Sequence, residues 1–167
     1  MPDFDLVVEV PMGSRNKYEF DHESGKIRLD RTLTTATRYP ADYGFIPDTL
    51  SEDGDPLDCL VLVQEPTFPG CVIRATPIGV FWVKDEKGRD SKILAVPTGD
   101  QRQAASEIDQ LPRAVLLEIS HFFEVYKALE PGKPSEVQGW DGSREADREI
   151  ELARERYRGA GERRNPA

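Results

Sequence analysis

The segment DGDPLD (residues 53–58) places three carboxylates within six residues, directly before the apolar run CLVLV (59–63). Carboxylates this close repel one another, so keeping all of them ionised costs free energy unless a cation lies between them. Asp-Gly-Asp-Pro is also a favourable turn sequence, which would explain Asp53 and Asp55 as a solvated turn. That explanation does not extend to Asp58, which stands where a buried strand is predicted to begin. The spacing therefore favours a cation site over a turn alone.

Oxygen ligands predict a hard divalent cation, either Mg²⁺, Mn²⁺ or Ca²⁺. An EF-hand is excluded, because counting from Asp53 puts Asp58 where the loop needs Gly and Gln64 where it needs Glu. A zinc site has little support, since the chain has only two histidines. His22 falls in a predicted turn, and His121 follows a predicted helical stripe, where packing or an interface is the simpler explanation.

Basic side chains and tyrosines accompany the acids along the chain. Carboxylate-held Mg²⁺ usually shares its ligands with water and substrate phosphates, and phosphate oxygens require cationic donors. Together these residue types are typical of phosphoryl transfer. Some have simpler explanations: Lys17 and Glu19 as a surface ion pair, and Tyr126 as a core aromatic residue. The candidate donors are Lys17, Arg31, Lys92, Lys127, Tyr39, Tyr43 and Tyr126.

Length and composition limit the class of protein. A chain of 167 residues favours one domain spanning 1–167. A net charge of −9 argues against a nucleic-acid partner, which usually needs a basic face. No apolar run approaches the length of a membrane span, and the acidic start lacks the basic segment of a secretory signal. We therefore expect a cytoplasmic protein in which Cys59 and Cys71 are buried free thiols, although a bridge between them stays open.

Hydrophobic periodicity divides the chain into strands followed by helices. The stripe Val115, Ile119, Phe122 and Tyr126 predicts a helix over 111–129. A second, charged helix is predicted around 146–157, followed by a flexible tail at about 159–167. Short strands followed by two helices favour a closed β-barrel packed against the helices. The predicted strands are 4–10, 16–20, 26–31, 59–63, 71–83 and 92–96, with the second and third forming a hairpin.

The segment DGDPLDCLV resembles the signature of the soluble family I inorganic pyrophosphatases of the bacterial type. Further segments are similar to that family in the same order and spacing, so that the resemblance covers about residues 4–157. These segments are VVEVPMGSRNKYEFDHESGKIRLDR (7–31), YPADYGFIPDTL (39–50), TFPG (67–70), DEKGRDSKILAVP (85–97) and HFFEVYKALEPGK (121–133).

The resemblance implies a fold, an activity and an assembly. The fold is expected to be mainly β with α: a five-stranded closed β-barrel, OB-like, packed against two main helices. The expected activity is the hydrolysis of inorganic pyrophosphate to two orthophosphates by a metal-activated water. Several Mg²⁺ ions are expected per site, with Mn²⁺ as a substitute. Bacterial relatives imply a homohexamer built from two trimers.

The resemblance also implies the roles of individual residues. Asp55 is the expected base that accepts a proton from water, with Asp90 as the rival, and the sequence leaves that choice open. Asp53, Asp58 and Asp90 are the implied ligands of two cations, Asp85 and Asp90 of a third, and Glu9 with Glu19 of a fourth. Arg31, Tyr126 and Lys127 are implied to hold the leaving phosphate, Lys17, Tyr43 and Lys92 the phosphate under attack, and Tyr39 lines the cavity.

One position departs from the family pattern. Many bacterial relatives carry a second histidine in the first helix, where this chain has Val125. Since His121 is retained, a hexamer remains the expectation. Two alternative functions stay open: a broader metal-dependent phosphatase or polyphosphatase, and a non-enzymatic OB-type module that binds single strands. The second would need a basic groove with exposed aromatic residues, which the acidic composition does not favour.

Overall fold

A computed structural model describes residues 2–132 and 135–164. These residues form nine strands and two α-helices, of which the first helix lies between the eighth and ninth strands and the second follows the ninth. A short 3-10 turn at Ile108–Gln110 precedes the first helix. The strands are β1 Phe4–Val10, β2 Asn16–Asp21, β3 Lys26–Thr32, β4 Asp42–Phe45, β5 Asp58–Val61, β6 Val72–Asp85, β7 Gly88–Arg89, β8 Lys92–Pro97 and β9 Glu136–Gly142; the helices are α1 Arg113–Val125 and α2 Ser143–Arg164.

Five strands close into a ring. β1 pairs with β4, β4 with β5, β5 with β8, β8 with β6, and β6 returns to pair with β1. All of these pairings are antiparallel except that of β5 with β8. Strands β2 and β3 form a separate hairpin, whereas β7 and β9 extend from β6. The prediction of a mainly β fold with a five-stranded closed barrel and two main helices is confirmed.

The ring is packed on both faces, because successive side chains of a strand point to opposite sides. In β5 and β8, Leu60 and Leu94 belong to a core cluster shared with the aromatic residues of α1. Their neighbours Cys59 and Ile93 belong to a second cluster, shared with the small and apolar face of α2. Each helix therefore covers its own face of the same strands.

The helices differ from their predicted bounds. Helix α1 is shorter than predicted and ends at Val125, where the chain continues in turns. Helix α2 begins earlier than predicted, where Ser143 N donates to Glu107 Oε2 at 3.0 Å, and continues to Arg164. The face that α2 buries against the barrel ends at Ala153, because Tyr157, at the end of the predicted helix, is 46% exposed. Of the predicted flexible tail, residues 159–164 are helical and 165–167 lie outside the described residues.

Three strands and one cysteine in the described residues correct the sequence analysis. β4 and the two-residue β7 were not among the predicted strands, and β9 was not predicted because its sequence, EVQGWDG, is polar. Trp140 of β9 stacks on Phe81 with ring centroids 4.5 Å apart, a packing partner that local pattern does not reveal. Both cysteines are free, but only Cys59 is buried; the prediction that Cys71 is also buried was wrong. No helix in the described part of the chain is both long and apolar enough to cross a bilayer.

Gly44 of β4 lies against the backbone of β1. A Cβ built at Gly44 would lie 1.9 Å from the carbonyl oxygen of Val7, and this oxygen belongs to the backbone and has little room to move. The close approach of β1 and β4 in the ring therefore requires a residue without a Cβ at position 44.

We expect Gly44→Ala to lower the free energy of unfolding by about 3 kcal/mol or more, at the upper end of overpacking costs. The matched control is Gly159→Ala in α2, where nothing lies within 4 Å of the added Cβ. This control should raise stability by about 0.5–1 kcal/mol, because Ala favours helix over Gly. Urea unfolding followed by circular dichroism measures both changes. Equal stabilities for Gly44→Ala and the unmodified chain would contradict the close approach.

Candidate active site

A cavity of about 330 Å³ lies where β1, the β2–β3 hairpin, β4 and the start of β5 meet. Six of the predicted site residues line it, namely Glu9, Lys17, Glu19, Tyr43, Asp55 and Asp58. Tyr18, Phe20, His22, Phe45 and Pro56 complete its wall. We call this space the main cavity.

Lys92 occupies the buried edge of the site. The parallel register of β5 and β8 places Asp58 opposite Lys92. Lys92 is 2% exposed, and its Nζ donates to Asp58 Oδ2 at 2.9 Å, Asp90 Oδ2 at 3.1 Å and Tyr43 Oη at 3.1 Å. Burial by itself lowers the pKa of Lys92, but the adjacent Asp58 and Asp90 carboxylates raise it above its usual range. The ammonium therefore stays charged and balances part of the negative charge of the two aspartates.

Tyr43 completes the contacts of Asp58. Its hydroxyl donates to Asp58 Oδ2 at 2.6 Å. Burial, reinforced by the negative charge of Asp58, raises the pKa of Tyr43 well above its usual range, so the hydroxyl keeps its proton and remains a donor. Burial also raises the pKa of Asp58, although Lys92 acts in the opposite direction.

The residues just before β5 form the turn that the sequence suggested. Ser51 N donates to Asp55 O at 2.7 Å, and Asp55 N donates to Asp53 Oδ1 at 3.0 Å. Gly54 has φ 91°, a left-handed conformation that Gly adopts without strain. Burial raises the pKa of Asp53 to about 6, and the nearby Asp90, Asp55 and Asp58 carboxylates act in the same direction. The turn and the acidic cluster are thus both present, and Asp58 belongs to the cluster through the strand.

Glu9 and Lys17 also line the main cavity. Glu9 Oε2 accepts a hydrogen bond from Phe20 N at 2.8 Å. Burial raises the pKa of Glu9 to about 7, outweighing that hydrogen bond. Lys17 Nζ contacts Glu19 Oε1 at 2.5 Å and Asp30 Oδ2 at 3.1 Å. The ion pair of Lys17 with Glu19 is present as the simpler explanation supposed, yet both residues line the main cavity.

A second cavity of about 270 Å³ contains the other basic residues. Arg31 and Lys127 line it together with Glu86, Glu130, Pro131 and Gly132. The guanidinium of Arg31 contacts Glu130 Oε1 at 2.5 Å and Asp30 Oδ2 at 2.5 Å. Asp30 therefore contacts both Lys17 of the main cavity and Arg31 of the second one.

Tyr39 and Tyr126 are buried between the barrel and α1. Tyr39 packs 5.4 Å from the ring of Tyr43 and 4.7 Å from that of Phe122. Tyr126 stacks on Phe122 at 5.1 Å, as expected of a core aromatic residue, and Lys127 Nζ lies 5.3 Å from its ring. Burial raises the pKa of Tyr39 above its usual range, so its hydroxyl is protonated.

The carboxylates share a region rather than a single coordination sphere. Asp85 lies at the end of β6 and its Oδ1 accepts from Lys87 N at 2.8 Å, so hydrogen bonding does not join it to the other candidate ligands in the described residues. Over residues 2–132 and 135–164, no three acidic, histidine or cysteine side chains stand close enough to hold one ion together. The donor chemistry nevertheless fits a hard cation, because the clustered donors are carboxylate oxygens. The Lys92 ammonium already contacts both Asp58 and Asp90, so positive charge is stable between these two carboxylates.

Sequence reasoning missed three residues of the site. Asp30 and Glu130 each pair with Arg31, and Glu130 is 99 positions away from it in the chain. His22 was placed only in a turn, but it lines the main cavity with ring centroids 4.9 Å from Phe20 and 5.0 Å from Phe45. Of these three residues, only Asp30 could have been found from the local sequence, because it directly precedes Arg31 at the end of the predicted hairpin.

The whole chain is similar to known proteins. A family model described as inorganic pyrophosphatase matches residues 6–158. The inorganic pyrophosphatase of Streptomyces coelicolor is 55% identical over 160 residues, which cover 95% of this chain and 98% of that protein. The inorganic pyrophosphatase of Sulfolobus acidocaldarius is 49% identical over 157 residues, covering 92% and 91%. The crystal structure of the inorganic pyrophosphatase from Thermus thermophilus matches with a TM-score of 0.89 at 48% identity, covering 92% of this chain and 90% of that one. The chain therefore belongs to the inorganic pyrophosphatase family.

Proposed function

We propose that this chain hydrolyses inorganic pyrophosphate to two orthophosphates, with Mg²⁺ as its cation and Mn²⁺ as a substitute. The family to which it belongs is metal-dependent and supports this activity. One observation supports the proposal most strongly. Lys17, Asp55 and Asp58 line the same cavity, and Asp53 and Asp90 lie close enough to Asp58 for their charges to interact. Divalent cations and a phosphate anion therefore have complementary ligands at one cavity.

The acidic residues are the proposed cation ligands. Cations held there would offset the charge of pyrophosphate and lower the pKa of a bound water towards about 7. Two cations are assigned to Asp53, Asp58 and Asp90, a third to Asp85 with Asp90, and a fourth to Glu9 with Glu19.

The basic residues and tyrosines are the proposed phosphate ligands. Lys92 and the protonated Tyr43 are the proposed donors on the buried side, where they donate to Asp58 and Asp90 until cations bound to these acids release them; Lys17 is the proposed donor from the hairpin. Arg31 and Lys127, together with Tyr126, are assigned to the leaving phosphate at the second cavity, and Tyr39 packs behind Tyr43. Lys17 and Arg31 are already paired with carboxylates, so a phosphate oxygen would exchange for these partners. Such fixed donors stabilise charge that develops on the leaving group.

Asp55 is the better-supported base. Asp90 is already held by Lys92 at 3.1 Å, which makes its oxygen less available for a proton. Asp55 is exposed at the main cavity, and within the described residues its carboxylate has neither a hydrogen bond nor an ion-pair partner. A base must have a free oxygen directed at the water that it deprotonates. We therefore assign proton acceptance to an Asp55 carboxylate oxygen.

We also propose that the chain assembles as a homohexamer of two trimers. The outer face of α1 supports self-association, because Leu117 is 55% exposed and His121 is exposed one turn later on the same helix. Val125 follows them at the end of this helix, where it adds apolar surface without a titratable group. Analytical ultracentrifugation measures the assembly directly.

The substrate is tested by comparing phosphate release from pyrophosphate, tripolyphosphate and p-nitrophenyl phosphate in the presence and absence of Mg²⁺. We expect Mg²⁺-dependent turnover of pyrophosphate that exceeds that of the other two by about 100-fold or more, because two cavities linked through Asp30 present ligands for two adjacent phosphates. Comparable turnover of all three would favour the broader phosphatase. Binding of single-stranded nucleic acid without any phosphate release would favour the binding module.

The base is tested by comparing Asp55→Asn with Asp53→Asn. We expect Asp55→Asn to lower kcat by about 10²–10⁴-fold with an unchanged Mg²⁺ requirement, since it removes a proton acceptor rather than a cation ligand. Asp53→Asn should instead raise the Mg²⁺ concentration for half-maximal activity by about 10-fold or more. The control is Asp5→Asn, an exposed acid of β1 paired with Arg74 at 3.3 Å, which should leave both quantities unchanged. Near-normal kcat in Asp55→Asn would transfer the role to Asp90.

A further inference from the structure

Helix α2 carries a chain of polar contacts that reaches two separate segments of the barrel. Glu149 Oε1 accepts from Ser91 Oγ at 3.3 Å and from Arg156 Nη1 at 3.4 Å. Arg156 Nη1 also donates to Leu50 O at 3.5 Å, and its Nη2 lies 3.8 Å from Glu52 Oε1. We call Glu149 and Arg156 the α2 brace.

Both ends of the brace adjoin proposed cation ligands. Ser91 lies between Asp90 and Lys92 at the start of β8. Glu52 directly precedes Asp53. Within the described residues, no hydrogen bond joins the 50–55 segment directly to residues 90–92, although Asp53 and Asp90 are close enough to repel each other. The brace is therefore a path of contacts that links these two segments across the acidic cluster.

The brace is built on a rigid support. Glu149 is 8% and Ser91 3% exposed, so their contacts are largely shielded from water. Neighbouring positions Ile150 and Ala153 are buried in the core cluster that α2 shares with the barrel. Leu50 N donates to Ala153 O at 2.9 Å, which fixes the start of the acidic turn against the helix. A buried carboxylate such as that of Glu149 is costly without partners, so its contacts with Ser91 and Arg156 are strongly favoured.

The planar guanidinium of Arg156 suits this task. Its nitrogens diverge in a fixed plane, which allows one side chain to contact a helix carboxylate, a loop carbonyl and a loop carboxylate together. A change in the position of Arg156 would therefore move the loop that carries Asp53 relative to β8.

We propose that Glu149 and Arg156 are positioning residues that hold Asp53 and Asp90 at the separation required to share divalent cations. This inference rests on the proposed function, because it takes these two aspartates as cation ligands. Neither brace residue lines the main cavity or the second cavity, so the brace acts through Ser91 and through the 50–53 turn. Partners behind metal ligands typically change affinity by about 10–100-fold when removed.

The test measures Mg²⁺ binding by isothermal titration calorimetry in the absence of substrate, on the full-length chain. Arg156→Gln and Ser91→Ala are compared with the unmodified chain, and Arg158→Gln is the control. Arg158 is on the same helix and pairs with Glu151 at 3.1 Å, but both side chains are exposed. We expect Arg156→Gln to weaken Mg²⁺ binding by about 10-fold or more. Ser91→Ala should weaken it in the same direction, and Arg158→Gln should leave it unchanged.

Thermal unfolding in EDTA separates positioning from stability. Ser91→Ala removes one hydroxyl and should fold even if Arg156→Gln does not. The double variant should lose less affinity than the product of the two single losses, because both changes break one path. An unchanged Mg²⁺ affinity in Ser91→Ala or Arg156→Gln, with only a lower Tm, would overturn the proposal. So would an equal loss in Arg158→Gln, or an unmodified chain that does not bind Mg²⁺.

Pyrophosphate hydrolysis by the unmodified chain is measured separately. A chain that binds Mg²⁺ but does not hydrolyse pyrophosphate would contradict the proposed function, while the binding data would still decide the role of the brace. With activity present, the variants at saturating Mg²⁺ should recover most of kcat, because the brace affects cation affinity rather than the proton acceptor.

Discussion

The contact between Lys92 and two aspartates is the interaction on which the site depends. A buried ammonium without partners is strongly unfavourable, and so are two adjacent carboxylates without a cation. Lys92 resolves both problems by donating to Asp58 and Asp90. This contact requires β5 and β8 to run in parallel with Asp58 opposite Lys92, and both strands belong to the closed ring. The pairing that helps to close the barrel therefore also assembles this part of the site.

Lys92 balances only part of the acidic charge. Burial raises the pKa of Glu9 to about 7 and that of Asp53 to about 6, so two more acids are held in surroundings that disfavour their charged forms. Lys17 lowers the pKa of Glu9 but does not outweigh its burial, and both Lys17 and Arg31 pair with other carboxylates, including the shared Asp30. Added cations would therefore stabilise the ionised forms of these acids. A phosphate oxygen could replace the carboxylates that Lys17 and Arg31 contact in this structure.

The sequence predicted those features whose signals are local. Alternation revealed β1 and the β2–β3 hairpin, and the acidic segment stood out because its residues are adjacent. It did not reveal β9, whose stabilising contact is the stacking of Trp140 on a strand far away in the chain. The same limit applies to Glu130, since its partner Arg31 is 99 positions distant. Tyr157 followed the helical period but lies beyond the part of α2 that the barrel covers.

The two helices contribute to the site in different ways because they cover different faces of the ring. Helix α1 contributes aromatic packing, and Phe122 packs against the buried rings of both Tyr39 and Tyr126. Helix α2 contributes a polar surface that reaches the backbone and side chains next to the acids. A polar network tolerates less displacement than apolar packing, because hydrogen bonds weaken steeply with distance and angle. A displacement of α2 would therefore loosen the long polar contacts next to Asp53 and Asp90 before it disturbed the apolar packing, whereas α1 shapes the aromatic surroundings of Tyr39 and Tyr43.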